Sequence, residues 1–441
     1  MVDIRPFSGY RYNPSVVGEL SRLLCPPYDV ISPAQQRELY QKSPFNSVRL
    51  ELTEQLPNDT LQHNRYTRAA DTFKGWLAKG VLVPDVPSAM YLIEEEFNFR
   101  GRVRVRTGLT ACVKLEEFEK GVIVPHEYTT SAPKKDRLEL MKACHANISP
   151  IMALYSDSGG ALTHLLSAAR TKPSLAAGAS SDGVIYRVWV IQNQDILRGI
   201  HEALSDRPVY LADGHHRYET ALNYRNLQRA SGAIKSDAST ANFVMMTLIS
   251  MNDPGLLIFP YHRLVGGLNS HEEKALSALM NERFEWEELQ LTALSAEGIA
   301  ATLEEGLQGR AQGDVVFGCF MLVSGKGKGY LLTLKNAHVP GPEAPPLERC
   351  DTWLLHQRVL NPVLGEHEAG TKLAFVHDAV EAVRAVQKGE QQMAILLRPL
   401  PLKLFEEVVG QGNRLPPKAT FFYPKLPTGL VFNRLEGEMS S

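Results

Sequence analysis

Cysteine is scarce and unpatterned in this chain. Cys25, Cys112, Cys144, Cys319 and Cys350 stand far apart, are odd in number and form no C-x-x-C pair. That spacing gives neither a zinc knuckle nor a disulfide framework, and it points to reduced, mostly buried thiols in a cytoplasmic setting. Long apolar runs are also missing. No stretch approaches the ~20 residues that cross a bilayer. The opening MVDIRPFSGYRYNP has no apolar core of secretory-signal length. An excess of one charge is the third absence: 47 Lys and Arg face 49 Asp and Glu, for a net charge of −2. Such a balance disfavours a polyanion-coating surface, and with it DNA as a partner. Internal repeats and coiled-coil heptads are not found. What is there is ordinary globular material, 441 residues with 44% hydrophobic and 22% charged side chains, enough for two or three domains.

The pattern along the chain predicts a mixed α/β (α+β) fold in three regions: an N-terminal one over 1–172, a core unit over 184–268 and a C-terminal one over 269–441. In the first, Ser32-Pro33 opens a helix, with Ser32 as N-cap and Pro33 at the first helical position. Asn64 to Lys79 reads as a second helix. Ala89 to Glu96 and Arg102 to Leu115 read as strands joined by a hairpin at Phe99-Arg100-Gly101. Arg102, Arg104 and Arg106 alternate with apolar residues and share one sheet face, which reads as solvated for at least two of them. Pro173 to Gly183 is a small-residue linker and the expected seam. Strand, helix, strand, helix, strand then run from 184 to 251, with Asn242 to Met251 as a central strand. The polar stretch Ala230–Ala241 is expected to be mobile. Further helices are expected around 271–282, 295–308 and 351–360, with strands around 314–322 and 329–335.

The richest stretch is Val209-Tyr-Leu-Ala-Asp-Gly-His-His-Arg-Tyr-Glu-Thr-Ala-Leu222. Val209–Ala212 reads as a buried strand. A helical pattern starts directly after Asp213-Gly214, with Tyr218, Ala221 and Leu222 on one face. His215, His216 and Arg217 then occupy a helix first turn, where amides have no intrahelical partner and the dipole is positive. With a guanidinium and two imidazoles added, the corner suits phosphate. Gly214 permits the tight turn and the close approach of an anion. Asp213 fits as a metal ligand, a proton acceptor or simply a helix cap. Adjacent helical residues point ~100° apart, so His215 and His216 face different directions.

Two other loops carry dense polar chemistry. One holds His126, Glu127, Thr129, Lys134, Lys135, Asp136 and Arg137 ahead of an amphipathic helix predicted over Asp136–His145. His126-Glu127 opens like a metalloprotease helix, but no second histidine follows at the required spacing. The other is Leu415-Pro-Pro-Lys-Ala-Thr-Phe-Phe-Tyr-Pro-Lys425, where prolines stiffen and aromatics wall a loop carrying Lys418, Thr420 and Lys425. It reads equally as a terminal segment packing Phe421, Phe422 and Tyr423 while its lysines stay wet.

The Asp213-Gly214-His215-His216-Arg217 run resembles the signature of the ParB/sulfiredoxin superfamily, in the version found in its free serine kinases. The chain as a whole, from about residue 3 to 432, resembles a widespread and long-uncharacterised bacterial and archaeal family. Its hallmarks stand here as Pro26-Pro27-Tyr28-Asp29-Val30-Ile31, His126-Glu127-x-Thr129, Lys135-Asp136-Arg137-Leu138, Ser149-Pro150-Ile151, Asp213 to Tyr218, and Pro416-Pro417-Lys418-Ala419-Thr420-x-Phe422-Tyr423-Pro424-Lys425. Where that family has Ser after the closing-motif lysine, this chain has Ala419.

The resemblance implies a ParB/sulfiredoxin-like phosphate-binding core with N- and C-terminal α/β extensions. It implies phosphorylation of a small hydroxyl acceptor, free L-serine foremost, from ATP, ADP or pyrophosphate, or the reverse reaction, as part of serine metabolism. Such transfer needs a donor cradle, charge neutralisation, a base and a clamp for the acceptor. The residues offered are Asp213, Glu127 and Asp29 for catalysis. Gly214, His215, His216, Arg217, Lys135, Arg137, Lys418 and Lys425 are offered for phosphate or nucleotide, and His126, Thr129 and Tyr28 for substrate. Asp213 is also the metal ligand for Mg²⁺ or another divalent cation. These residues are expected around one cleft, with no membrane partner and an oligomer left open. Two rival readings stand beside this one: a ParB-like nucleotide-binding regulator, and a metal-dependent phosphohydrolase.

Overall fold

The computed structural model describes residues 1–157, 159–170, 175–179, 183–311, 313–365 and 372–439. Helices and sheets alternate through it, and the chain divides into two compact units, Met1–Leu257 with Pro424–Ser441 and Ile258–Tyr423. Among the described residues no helix is long and apolar enough to cross a membrane.

The first unit contains, in chain order, β1 (Ile4–Arg5), β2 (Tyr10–Tyr12), α1 (Pro33–Lys42), α2 (Val48–Glu51), α3 (Arg65–Ala78), β3 (Leu82–Pro84), β4 (Met90–Phe99), β5 (Arg102–Lys114), β6 (Ile123–Val124), α4 (Ser131–Cys144), β7 (Ala146–Asn147), β8 (Ile151–Tyr155), α5 (Ala161–Ala168), β9 (Leu175–Ala179), β10 (Ile185–Ile191), α6 (Gln194–Ser205), β11 (Val209–Asp213), α7 (His215–Ala230) and β12 (Phe243–Ser250). A nine-stranded sheet runs β6-β11-β8-β12-β5-β4-β10-β9, with β1 beside β5. β11 is parallel to β6 and β12 to β8; the remaining pairs are antiparallel.

Local chemistry sets many of the boundaries. Ser32 accepts from the Gln35 amide while Gln35 reaches back to the Ser32 amide, with Pro33 at the first position of α1. Asn64 caps α3 in the same way. β4 and β5 meet through Arg100 and Gly101 at φ of 51° and 75°, the left-handed pair that a tight hairpin needs. The arginines of β5 meet three environments. Arg102 is exposed, Arg104 is half-buried and donates to the Pro254 carbonyl, and Arg106 is fully buried with its Nε 2.6 Å from Glu95. Glu95 lies opposite Arg106 across the β4–β5 pair, so the charge is neutralised inside the sheet.

The expected linker turns out to contain β9, which pairs antiparallel with β10. Small residues do not bar a strand where a neighbouring edge offers unpaired backbone groups. Pro173, Ser174 and residues 180–182 lie outside the described residues. The sheet runs straight across the expected 172–184 seam, since β12 lies between β8 and β5. The expected boundary at 268 falls inside the second unit. The polar stretch before β12 is strapped rather than loose. Ser236 donates to Glu438 at 2.6 Å, and the Thr240 amide to the Gly437 carbonyl at 3.0 Å. β12 is buried along its whole length, as its apolar run predicts.

In the second unit six strands form an antiparallel sheet in the order Phe284–Leu289, Lys326–Leu334, Val316–Val323, Met393–Leu396, His262–Val265, Leu373–Val376. Apolar clusters cover it, drawn partly from helices Ser270–Arg283, Ala296–Gln308 and Ala379–Gln387. The helix expected over 351–360 is α-helical only to Leu355, and a π-turn over His356–Leu360 precedes Pro362. Proline has no N–H to continue the α ladder there.

Candidate functional site

β11 is buried from Val209 to Ala212, between β6 and β8. Its register against β8 passes from Leu211 opposite Ala153 to Asp213 opposite Met152, so Ala212 is an extra residue. A bulge of this kind bends a strand and re-aims its last side chain, here Asp213. Gly214 follows at φ 90° as the N-cap of α7 and supplies no side-chain cap. A Cβ on Gly214 would come within 3.0 Å of Arg217 Nε, so only glycine lets that guanidinium fold back over the turn. α7 is fixed to the sheet by Tyr218, Ala221, Leu222 and Tyr224, all buried. The Tyr218 hydroxyl also donates to the Glu116 carbonyl at 2.6 Å.

Asp213 accepts from two cations, one on each oxygen. Arg217 Nη2 lies 2.5 Å from Oδ2, and Lys425 Nζ bonds Oδ1. Burial by itself would raise the Asp213 pKa. The charges of Lys425 and Arg217 outweigh it and hold the carboxyl well below the usual range. The trio carries one net positive charge, with His215 beside it. Arg217 also donates to the Pro150 carbonyl. The magnesium role expected of Asp213 does not fit this arrangement. Both of its oxygens face cations, Arg217 on one and Lys425 on the other.

The 126–130 loop lies along the start of α7. His126 is 1% exposed, and its Nδ1 donates to the Leu211 carbonyl at 2.6 Å. Its amide donates to His215 Nε2 at 3.3 Å, and the two rings meet edge to face at 4.5 Å. Burial lowers the His126 pKa, while Glu127 and the Leu211 bond oppose that shift. Glu127 Oε1 is 4.0 Å from His126 Nε2. His216 turns the other way, as the helix geometry predicts, and accepts from the Thr130 amide at 3.1 Å. Thr129 and Lys134 both donate to Glu219, each at 2.7 Å.

Beside Arg217 a pocket of about 390 Å³, counted with its open mouth, is lined by Glu51, Arg137, Asn147 and Ser149 among apolar residues. Tyr28 stacks on the Arg137 guanidinium at 4.1 Å, and its amide donates to Glu51 Oε1. Burial, then the nearby Asp29 charge, push the Tyr28 hydroxyl up to about 12.

The structure therefore gathers Tyr28, Asp29, His126, Glu127, Thr129, Asp213, Gly214, His215, His216, Arg217 and Lys425 in the first unit, around the β11–α7 corner and the neighbouring pocket. Others fit their expected roles less well. Arg137 is spent on protein partners, with Nε and Nη2 on Asp136 and Nη1 on the Glu51 carbonyl, rather than held out for phosphate. Lys135 is exposed on α4. Lys418 belongs to the second unit, at φ 54° with its Nζ 5.2 Å from the Tyr261 ring. Sequence reasoning missed Glu51 and Glu219. A carboxylate closing the short alternation Val48-Arg-Leu-Glu51, and one placed four residues after His215, were the signals available.

No curated protein matches the chain. Among solved structures, a conserved hypothetical protein from Pyrococcus furiosus is 15% identical, with 71% of this chain and 92% of that one covered and a TM-score of 0.35. A free serine kinase in complex with AMP is 14% identical over 70% of this chain and 89% of that one, with a TM-score of 0.34. SbnI from Staphylococcus aureus, truncated at its C-terminus, is 11% identical over 75% and 87%, with a TM-score of 0.35. Residues 4–353 match the model of the DUF1015 family, described as protein of unknown function, and the chain belongs to that family.

Proposed function

We propose that the protein transfers a phosphoryl group to a small hydroxyl acceptor, free L-serine foremost, with ATP, ADP or pyrophosphate as donor. One observation carries this reading. Lys425 and Arg217 converge on Asp213, which immediately precedes the glycine turn and the uncapped start of α7 at His215. That combination stabilises phosphoryl oxygens by charge and by backbone amides together. The ParB/sulfiredoxin-like reading of this corner belongs to the same proposal.

In the reaction the acceptor oxygen forms a bond to the terminal phosphorus of the donor, and the bond from that phosphorus to the departing phosphate breaks. The hydroxyl proton goes to a carboxylate. We assign this task to Glu127, beside His126 in the loop along α7, rather than to Asp213, which faces Arg217 and Lys425. Phosphoryl transfer depends on positioning more than on a strong base. Asp213 then serves to hold Lys425 and Arg217 at their spacing until phosphate displaces part of that contact.

The test is direct. Purified protein is incubated with L-serine and each donor in turn in magnesium-containing buffer, and O-phosphoserine is measured. Product is expected with at least one donor, and Glu127→Gln should lower its rate far more than it changes the melting temperature. No phosphorylated product with any donor, across amino acids and small alcohols, removes the reading.

A further inference from the structure

We propose that the pocket beside Arg217 is a subsite for a primary ammonium group, with Glu51 as its anchor. The inference rests on the phosphotransferase reading of the adjoining corner and narrows its acceptor to amino alcohols and hydroxy amino acids.

Glu51 is 1% exposed, yet only one of its carboxylate oxygens is engaged among the described residues. Oε1 accepts from the Tyr28 amide at 3.1 Å and from the Ser149 hydroxyl at 3.2 Å. Both donors fall on Oε1, so among the described residues no side chain or amide donates to Oε2, and Glu51 is one of the residues that line the pocket. Arg137 does not complete it. Its nearest approach to the carboxylate is 3.8 Å, because Nη1 is spent on the Glu51 carbonyl and the rest of the guanidinium on Asp136. On a carboxylate this little exposed, an oxygen with no protein donor is satisfied best by a charged one.

The walls select among donors. Leu140, Met141 and Val244 are among the apolar residues that line the pocket, and they suit the carbon skeleton of a small organic cation better than the water shell of a hydrated ion. A divalent cation needs several oxygen ligands, carboxylates above all, and among the described residues Glu51 is the one carboxylate in the pocket lining. A primary ammonium brings three donors and the right charge.

Arg217 links this subsite to the phosphoryl corner. It lines the pocket, and it also donates to Asp213 and to the Pro150 carbonyl, next to Ser149. One guanidinium thus borders both places. A molecule anchored at Glu51 by its ammonium can offer a hydroxyl a few bonds away to the corner.

The experiment is calorimetric binding to the full chain, without donor, of L-serine, ethanolamine and 3-hydroxypropionate, which lacks the ammonium. The first two are expected to bind about ten- to a hundredfold tighter than the third, the worth of one charge-assisted hydrogen bond. Glu51→Gln should erase that preference and leave the KM of the donor unchanged. Ser149→Ala should weaken the preference in the same direction, and it decides the matter should Glu51→Gln fail to fold. Equal binding of all three, binding of none, or an undiminished preference in Glu51→Gln overturns the proposal. Phosphorylation of 3-hydroxypropionate as readily as L-serine would keep the phosphotransferase reading and sink the subsite. Ammonium-selective binding with no phosphorylated product supports the subsite and removes the phosphotransferase reading.

Discussion

Asp213 holds two cations on a carboxylate that the sequence offers equally as base, metal ligand or cap. The pairing makes it structural as well as functional. Asp213→Asn leaves Lys425 and Arg217 without their counter-charge, and a loss of about 3–5 kcal/mol in unfolding free energy is expected. Denaturant titration checks this, and Asp213→Asn combined with Lys425→Met should cost less than the sum of the two. Two buried histidines of the second unit give a pH prediction. Burial first, then the Arg263 charge, lower His262 and His356 from 6.5 to about 3. His356 Nε2 accepts from Arg263 Nε at 2.8 Å, which protonation would break. Their folded pKa lies below the unfolded one, so their contribution is complete above 6.5 and is lost as pH falls from there toward about 3. Unfolding near pH 5 should therefore take up protons, and His356→Gln should take up about one fewer, a change in slope of about 1.4 kcal/mol per pH unit.

At the scale of the element, the strand–turn–helix of β11 and α7 depends on one residue without a side chain. Gly214→Ala must hold a left-handed φ and push against Arg217. A loss of about 2 kcal/mol is expected, from the cost of that conformation and the contact together. Thermal unfolding measures it, and pyrophosphate binding by calorimetry should weaken in parallel. A milder case is Ser32→Ala, which removes the capping box of α1 at a cost of about 1 kcal/mol, with no change expected in ligand binding. Both elements were legible beforehand. Capping residues, a glycine break and an apolar face are written within a dozen residues. The bulge at Ala212 was not legible, because it exists only against β8.

At the scale of the whole molecule, the chain leaves the first unit after Leu257 and returns to it at Pro424. The returning segment brings Lys425 to Asp213, pairs Asn433–Arg434 with β7 and buries Phe432 against Tyr12 and Phe73. A chain ending at Tyr423 should lose cooperative melting of the first unit. Limited proteolysis should then cut within 1–257 while sparing the second unit. A truncated chain as resistant as the full one would show that the return segment is dispensable.

Short windows of the chain already carry α1, α3, β12, the buried thiols and the Asp213–Arg217 corner, because each follows from hydrogen bonding, capping or periodicity among near neighbours; β9 and the π-turn after Leu355 do not. Tertiary structure decided who partners whom. Asp213 and Lys425 are 212 residues apart. Arg137 is claimed by Asp136 and by the Glu51 carbonyl, and Glu51 becomes a pocket wall only once α2, α4 and β8 pack together. Charge and burial act through space, and no local pattern records which distant side chain will arrive.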